Sequence, residues 1–333
     1  MDLCVFCLLL LSLQCVKGTA TYYTLKPNVM VVVRERGLSM TQVPLLCGES
    51  YERDTIVWRI KGREVAQGNQ VNVNVVMMQG GNYTCHAQSG ALLNHTLVLV
   101  QAMDRRILDR SPDSDYLHCL SKNYSGVFQC SWRWSQTRKE RAPDLFLVTA
   151  SRSSVELTCT LGPSGQSITC RDHSHCPYSE ERRRITLAVY VKNQFRVEKY
   201  TQAFYIADIV KPDRIPVTRL DTRSLEWGYP DTWSTPGSYF PLTFQVKEIS
   251  RRHNCDCEGH GRRRCRMALH TTEGLQWPVR RGFLVCVRAQ DALCNSTWSD
   301  WSLVRTNSTG AGGTKNNRKQ KVKVNNRKGE KGL

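Results

Sequence analysis

The sequence predicts an all-β protein built from three tandem β-sandwiches. Short runs of β-branched and apolar residues are separated by Gly, Asn, Pro and Ser, a spacing typical of sandwich strands. No long amphipathic helical pattern interrupts these runs. The chain has 333 residues, which is enough for two or three domains and for sandwiches of about 90 residues each. The clearest predicted strands cover residues 29–33, 55–60, 71–76, 96–100, 146–150 and 185–191.

Proline-marked connectors divide the chain into its predicted parts. They fall near Ser111-Pro112 and at residues 211–216, where the missing backbone N–H disfavours a central strand. The predicted parts are a signal peptide (1–20), three sandwiches (21–103, 104–210 and 211–305) and a basic disordered tail (306–333).

The N-terminal segment has the composition of a secretory signal. Residues 3–13 are apolar except for Ser12, and Gly18-Thr19-Ala20 supplies the small residues that a signal peptidase reads. No later run reaches the roughly 18 consecutive apolar residues of a transmembrane anchor. We therefore expect a secreted, extracellular protein without a membrane span, in a compartment where disulfides persist. Sequons for N-glycosylation, which fit secretion, begin at Asn82, Asn94, Asn123, Asn295 and Asn307.

The first sandwich carries the landmarks of an immunoglobulin-like domain. Trp58 lies between Cys47 and Cys85, and Tyr83 stands two residues before the second cysteine. In such domains the cysteines join the two sheets, the tryptophan packs on the bridge, and the tyrosine forms a corner. We predict an immunoglobulin-like domain over residues 21–103 with a Cys47–Cys85 bond.

The second sandwich has a different cysteine pattern. Cys119 and Cys130 form a closely spaced pair followed by a tryptophan at i+2, and Cys159 and Cys170 form a second pair. Cys176 is left over. The pattern resembles the first fibronectin type III-like domain of class I cytokine receptors, with both pairs as intrachain disulfides.

The third sandwich ends in a motif of the same receptors. Trp298, Ser299, Trp301 and Ser302 fit their Trp-Ser-x-Trp-Ser box. On the preceding strand, alternation places Arg288 on the outer face, where its guanidinium can stack between the two tryptophans. Each such contact contributes about 0.5–1 kcal/mol at an exposed site. We therefore expect a second fibronectin type III-like domain and a mainly structural role for the box.

Several local strings narrow the resemblance further. The chain is similar to the family of beta subunits shared by interleukin-12 and interleukin-23, and the similarity spans all three predicted domains. The strings that carry it are residues 122–126, 208–213, 229–236, 238–240 and 287–291.

The resemblance implies a receptor-shaped protein that acts as half of a heterodimeric cytokine in immune regulation. It would pair with a four-helix alpha subunit at the elbow between its second and third domains, and the pair would signal through cytokine receptor chains. The implied pocket for the alpha subunit comprises Tyr124, Glu180, Tyr239 and Asp291. Aromatic rings and carboxylates together suit an inserted arginine. Leu293 departs from the family, which often has an aromatic residue there.

Cys176 matches the family cysteine that bonds the alpha subunit. Parity supports this assignment, because an odd cysteine in a secreted domain suggests an interchain disulfide. Internal pairing with a third-domain cysteine is the alternative for this residue. For the whole protein, the competing function is a soluble alpha-type cytokine receptor or decoy, which binds a cytokine reversibly and needs no covalent bond.

The third domain has an odd number of cysteines. Alternation puts Cys286 on the outer strand face, which allows a local Cys286–Cys294 bridge, and Cys265 can pair with either Cys255 or Cys257. One thiol then remains for a second covalent link or a homodimer bond. The spacing of Cys255, Cys257 and Cys265 does not fit the usual spacing of zinc ligands, so we expect no metal and no cofactor.

The formal charge of +18 has two main sources, the tail and a cluster near residues 251–266. Because the chain is predicted to be extracellular, heparan sulfate is the expected polyanion and nucleic acid is not. A solvated charge run is the simpler alternative. The chain also lacks the short motifs of hydrolases and nucleotide-binding enzymes, so we expect no enzymatic activity. The predicted glycan-binding residues are Arg251, Arg252, Arg262, Arg263, Arg264 and Arg266.

Overall fold

The computed structural model describes ten segments of the chain. They are residues 21–33, 40–76, 80–101, 104–111, 115–135, 144–221, 223–250, 252–257, 267–280 and 282–304. Nearly all regular structure in them is β-strand, which confirms the predicted fold class. The predicted signal peptide, the basic tail and the Asn307 sequon lie outside the described residues. The same holds for the predicted glycan-binding residues Arg251, Arg262, Arg263, Arg264 and Arg266.

The first sandwich packs a two-stranded sheet, β3–β6, against a larger sheet that contains β2-β8-β7-β4-β5. Cys47 and Cys85 are bonded across the core, and Trp58 is fully buried beside them. The indole of Trp58 donates to the carbonyl of Gly68 at 3.1 Å, so its one polar atom is satisfied. The strands are β1 (Tyr22–Lys26), β2 (Val29–Val33), β3 (Met40–Leu46), β4 (Ile56–Ile60), β5 (Arg63–Gln67), β6 (Gln70–Val76), β7 (Gly81–Ala87) and β8 (Leu92–Gln101), with a 3-10 turn at Glu49–Tyr51.

The second sandwich packs the sheet β13-β14-β10-β9 against the strands β12-β11-β15-β16. Its two disulfides join Cys119 to Cys130 and Cys159 to Cys170. Each links two residues that face each other on neighbouring antiparallel strands, so both lie within one sheet. The elements are β9 (His118–Leu120), β10 (Val127–Ser131), β11 (Asp144–Arg152), β12 (Val155–Glu156), β13 (Thr158–Leu161), β14 (Ser167–Arg171), β15 (Ile185–Asn193), β16 (Arg196–Phe204) and the short helix α1 (Ile206–Ile209).

The third sandwich packs the sheet β17-β18-β21 against β20-β19-β22-β23. Val285, Val287 and Ala289 of β22 are fully buried on its inner face. The strands are β17 (Val217–Arg219), β18 (Ser224–Trp227), β19 (Leu242–Ser250), β20 (Met267–Thr272), β21 (Gln276–Pro278), β22 (Phe283–Asp291) and β23 (Ser302–Val304).

The first two sandwiches share a sheet. Strand β16 runs parallel to β8, with Arg196 opposite Val100 and Val197 opposite Gln101, and this pairing creates one ten-stranded sheet. The joint between the first two sandwiches is therefore held by backbone hydrogen bonds.

The connector between these sandwiches is fixed by one buried carboxylate. Glu198 is fully buried and accepts hydrogen bonds from the backbone N–H groups of Arg106, at 2.9 Å, and Ile107, at 2.8 Å. The hydroxyl of Tyr200 and the guanidinium of Arg196 also donate to it. A buried charge of this kind is stable only because all these donors surround it.

The outer face of the third sandwich corrects the predicted cysteine pairing. Cys286 is fully buried and bonds to Cys255, so the predicted local Cys286–Cys294 bridge is wrong. Residues 252–257 lie over this face, and the buried ammonium of Lys247 donates to the carbonyl of Cys255 at 2.8 Å. Cys257 is also disulfide-bonded. The outer face is thus a second buried layer.

The Trp-Ser-x-Trp-Ser box continues that layer. The guanidinium carbon of Arg288 lies 4.9 Å from the ring centre of Trp298 and 4.3 Å from that of Trp301. Ser299 exchanges hydrogen bonds with the backbone of Ala289, and Ser302 donates to the carbonyl of Ile215 at 2.6 Å. These contacts attach the box to the sandwich, as a structural role requires.

Candidate functional site

The second and third sandwiches meet at an elbow whose core is continuous with both. Tyr124, Trp233 and Phe240 are buried together there, and the ring of Tyr124 stacks on Phe240 with centres 5.2 Å apart. The backbone of Ser121 donates to Ile209 at 2.9 Å and accepts from the linker after α1. These contacts fix the angle between the two sandwiches.

Tyr124 and Asp291 lie inside the elbow rather than on its surface. They are 3% and 2% exposed, and the tyrosine hydroxyl donates to the carboxylate at 3.0 Å. Burial raises the pKa of Tyr124 above its ordinary value, and hydrogen bonds to Cys294 and Asp291 raise it further. The other carboxylate oxygen of Asp291 accepts the backbone N–H groups of Leu293 and Cys294 at 2.8 and 2.9 Å. The pair therefore supports the turn after β22 and lies inside the elbow, and its contact with an alpha subunit stays a prediction.

The exposed part of the predicted pocket is carried by two loops that touch. The ring of Tyr239, 40% exposed, meets the buried Phe240 edge-on with centres 5.0 Å apart. The ring of Tyr178, 54% exposed, meets Tyr239 in the same way at 5.0 Å, and the Tyr239 hydroxyl donates to the Tyr178 carbonyl. Glu180 is exposed on the same loop and makes no ion pair within the described residues. We call Tyr178, Glu180 and Tyr239 the elbow patch.

Two cysteines of the elbow carry no disulfide in the described part of the chain. Cys176 is partly exposed, and its carbonyl accepts the N–H of Ser179 at 3.1 Å in a tight turn just before the elbow patch residue Glu180. Cys294 is exposed on the turn that Asp291 supports, beside the hydroxyl of Tyr124. Leu293, at the position where the family often has an aromatic residue, is 71% exposed.

A buried ion cluster joins the end of β11 to residues on both sides of Cys176. The guanidinium of Arg152, at the end of β11, donates to Asp172 at 2.6 Å and also to Glu181. Burial alone would lower the pKa of Arg152, but its hydrogen bonds and ion pairs with Glu181 and Asp172 raise it above the ordinary value. The arginine therefore stays charged, and both carboxylates remain paired.

The elbow also carries an open cleft of about 970 Å³, lined by residues of both sandwiches and of the linker between them. Its charged side chains are mostly engaged with one another: Lys122 pairs with Asp213 at 2.9 Å, and Lys211 pairs with Asp300 at 2.7 Å. The elbow patch, in contrast, carries exposed rings and a carboxylate that has no ion pair within the described part of the chain. The patch is thus the part of the elbow better suited to a protein partner.

The sequons differ in how free their amides are. Asn82 and Asn295 are exposed. The amide nitrogen of Asn123 donates to the carbonyl of Thr232 at 2.6 Å, and that of Asn94 donates to the carbonyl of Cys47 at 2.7 Å. A glycan on either of these two would replace one hydrogen of an amide nitrogen that already joins two distant segments of the chain.

Sequence reasoning missed Tyr178, Arg152 and the free state of Cys294. Tyr178 could have been found from its position two residues after the odd cysteine. Arg152 gave no signal, because its two carboxylates are distant in sequence. Among the described residues no group of acidic, histidine or cysteine side chains is placed to hold a metal ion, and none of the helices there is long and apolar enough to cross a membrane.

Comparison with known proteins gives a consistent result. A family model described as "Cytokine interleukin-12p40 C-terminus" matches residues 114–193. The interleukin-12 subunit beta of Homo sapiens is 30% identical over 293 residues, which cover 79% of this chain and 85% of that protein. Its counterpart in Macaca mulatta is 32% identical over 298 residues, with coverage of 79% and 85%. The counterpart in Mesocricetus auratus is 30% identical over 291 residues, with coverage of 79% and 86%.

Proposed function

The chain belongs to the family of interleukin-12 beta subunits, which are cytokine subunits and not enzymes, and on that premise we propose that it is the secreted beta subunit of a heterodimeric cytokine. Its partner is a four-helix alpha subunit that binds at the elbow, and the pair signals through cytokine receptor chains. The observation that carries the proposal is that Cys176 is partly exposed, has no disulfide within the described residues and lies beside the exposed ring pair Tyr178 and Tyr239.

The elbow patch supplies the non-covalent part of the contact. Tyr178 and Tyr239 are large, rigid and already ordered against each other, so little conformational entropy is lost when a partner covers them. The unpaired carboxylate of Glu180 suits an arginine of the partner, since such pairs form two parallel hydrogen bonds. Tyr124 and Asp291 support this surface from the interior of the elbow. The ring of Tyr124 stacks on Phe240, and Asp291 holds the turn that carries Leu293.

Cys176 supplies the covalent part. Its thiol and a thiol of the alpha subunit form a disulfide, and the two protons and two electrons pass to a disulfide oxidant of the secretory compartment. The bond prevents dissociation, so the heterodimer persists at extracellular dilution.

Co-expression of the full chain with candidate four-helix subunits tests this function. On non-reducing gels we expect a covalent heterodimer that is lost in Cys176→Ser, while part of the complex remains associated non-covalently. Cys294→Ser is the matched control, because it removes the other unbridged thiol of the elbow. A covalent heterodimer that persists in Cys176→Ser and disappears in Cys294→Ser would contradict the assignment.

The same experiment separates the competing function. A soluble receptor or decoy would bind a finished cytokine reversibly, give no covalent species with any candidate subunit, and be unaffected by Cys176→Ser.

Secretion and glycan binding are further parts of the proposal. Secretion is supported by the apolar N-terminal segment and the disulfides, and heparan sulfate binding by the clustered arginines, of which Arg252 is exposed in the described residues. Neutralising Arg262, Arg263 and Arg264 should lower the salt concentration at which the protein elutes from heparin. Elution unchanged by that substitution would favour a merely solvated charge run.

A further inference from the structure

The loop that carries Cys176 is held at both ends by one side chain. The guanidinium of Arg152 donates through Nε to Asp172 at 2.6 Å, through Nη2 to Glu181, and through Nη1 to the carbonyl of Arg183 at 2.6 Å. The Arg152 side chain is 10% exposed, and those of Asp172 and Glu181 are 2% and 4% exposed. We call residues 172–183 the Cys176 loop.

The two carboxylates pass this restraint to the backbone on either side. Asp172 accepts the N–H and the hydroxyl of Ser174 at 2.9 and 2.8 Å, which fixes the start of the loop. Glu181 accepts the N–H of Ile206 at 2.6 Å, so the end of the loop is tied to the first residue of α1. Because α1 leads directly into the elbow, the Cys176 loop and the elbow backbone form one unit.

Gly126 allows the start of the Cys176 loop to pack closely against the backbone before β10. Gly126 has a φ of +75°, and a Cβ there would lie 2.7 Å from the Asp172 carbonyl and 2.6 Å from the Cβ of His175. The carbonyl of Gly126 accepts the N–H of Asp172 at 2.9 Å. The close backbone contact that glycine permits therefore sets the distance between the Cys176 loop and the start of β10.

Stability alone is a weak reason for a buried cluster of this type. Apolar side chains of similar volume are often as stabilising as a buried ion pair, whereas a forked guanidinium fixes direction. Here the fixed segment contains all three groups that the loop contributes to the proposed interface: Cys176, Tyr178 and Glu180. A disulfide forms only within a narrow range of Cα–Cα distances, so placement of the loop governs bond formation.

We infer that Arg152 is the positioning residue that holds the Cys176 loop in the conformation from which Cys176 and Tyr178 meet the partner. This inference rests on the proposed function, but the restraint on the loop can be measured without any partner.

The test compares Arg152→Lys and Arg152→Gln with Arg182→Gln, an exposed arginine in the same loop, all in a Cys294→Ser background. Amide hydrogen exchange is followed at Ser174 and Ile206, whose N–H groups bond to the two carboxylates. We expect exchange there to quicken by about tenfold or more in Arg152→Gln, less in Arg152→Lys, and not in Arg182→Gln. Exchange in the core strand β15 should not change, which separates a local effect from general destabilisation.

Capture of the four-helix subunit gives the second readout. The rate at which the covalent heterodimer forms should fall several-fold in both Arg152 variants and should be partly restored in Arg152→Lys relative to Arg152→Gln. Arg152→Lys keeps the positive charge, so it is the test variant if Arg152→Gln does not fold. If the Arg152 variants exchange these amides and form the covalent heterodimer at the same rates as Arg182→Gln, the inference is overturned, while the proposed function stays intact. If amide exchange is faster in the Arg152 variants but no variant bonds the subunit through Cys176, the proposed function is refuted, while the restraint of the loop by Arg152 is supported.

Discussion

The two joints between sandwiches are built from different interactions. At the first joint, β16 and β8 pair in parallel and four donors surround the carboxylate of Glu198, so the joint is held by hydrogen bonds within the chain. Even the backbone is closely packed there, since a Cβ on Gly80 would lie 2.6 Å from the carbonyl of Val98. At the elbow, a buried aromatic stack continues outward into exposed rings, and the described residues also show a carboxylate without an ion pair and two thiols without a disulfide there.

The difference indicates separate roles for the joints. The first joint is closed by hydrogen bonds within the chain, which hold the first sandwich at a fixed angle. The elbow has a buried aromatic interior but leaves thiols and aromatic rings at its surface, which is the arrangement expected of a binding site. Substitutions should therefore affect stability alone at the first joint and binding at the elbow patch.

The largest effect is expected for Glu198→Ala at the first joint. Removing the carboxylate leaves the N–H groups of Arg106 and Ile107 without their acceptor and the charge of Arg196 underpaired. We expect a loss of about 3–5 kcal/mol in the free energy of unfolding, measured by denaturant titration. Glu156→Ala, at an exposed carboxylate, is the control. A loss below about 1 kcal/mol would show that the joint does not depend on this residue.

At the elbow patch, Tyr178→Ala should weaken binding of the four-helix subunit rather than folding. Loss of an aromatic anchor costs about 2 kcal/mol in an interface, or roughly 30-fold in Kd. The measurement is the affinity of the non-covalent complex in the Cys176→Ser background. Leu161→Ala, which removes an exposed apolar side chain of β13, should have no effect. Equal affinity for both variants would remove Tyr178 from the interface.

Inside the elbow, Tyr124→Phe should cost stability. The variant keeps the stack on Phe240 but removes one hydrogen bond from the buried carboxylate of Asp291, at an expected cost of about 1–2 kcal/mol in the free energy of unfolding. Tyr178→Phe is the matched control, because that hydroxyl makes no hydrogen bond within the described residues. Unchanged stability of Tyr124→Phe would mean that the aromatic stack alone holds the elbow.

The smallest effect is expected for Asp300→Asn on the cleft side. A hydrogen bond from Lys211, with the charges of Lys211 and Arg214, lowers the pKa of Asp300 below its ordinary value. A lowered folded-state pKa means that the pair stabilises the protein above the unfolded pKa of about 3.9 and loses this effect as the pH falls through the folded pKa. Because the carboxylate is 56% exposed, we expect at most about 0.5 kcal/mol at neutral pH. The difference in unfolding midpoint between variant and parent should vanish in acid, and a difference that grows in acid would contradict this account.

Local sequence patterns predicted the features that depend on neighbouring residues in the chain. The spacing of Cys47, Trp58 and Cys85 reflects one strand pair across a core, and the alternation around Arg288 placed its guanidinium on the tryptophans. Both follow from periodicity within one or two strands.

Patterns failed where distant segments cover one another. Alternation put Cys286 on the outer face, but it could not show that residues 252–257 bury that face and bring Cys255 to it. The resemblance assigned Tyr124 and Asp291 to the pocket for the alpha subunit, but it could not show that their mutual hydrogen bond and their burial place them in the interior of the elbow. The role of Arg152 likewise follows only from the fold, which brings Asp172 and Glu181 to the same guanidinium.

Disulfide mapping of the purified heterodimer tests the central claim most directly. Proteolysis under non-reducing, acidic conditions preserves existing bonds, and mass spectrometry then identifies which peptides are joined. We predict that the peptide containing Cys176 is joined to a peptide of the four-helix subunit, while Cys119–Cys130 and Cys159–Cys170 stay within the chain. Recovery of Cys176 as a free thiol, or bonded within its own chain, would contradict the account.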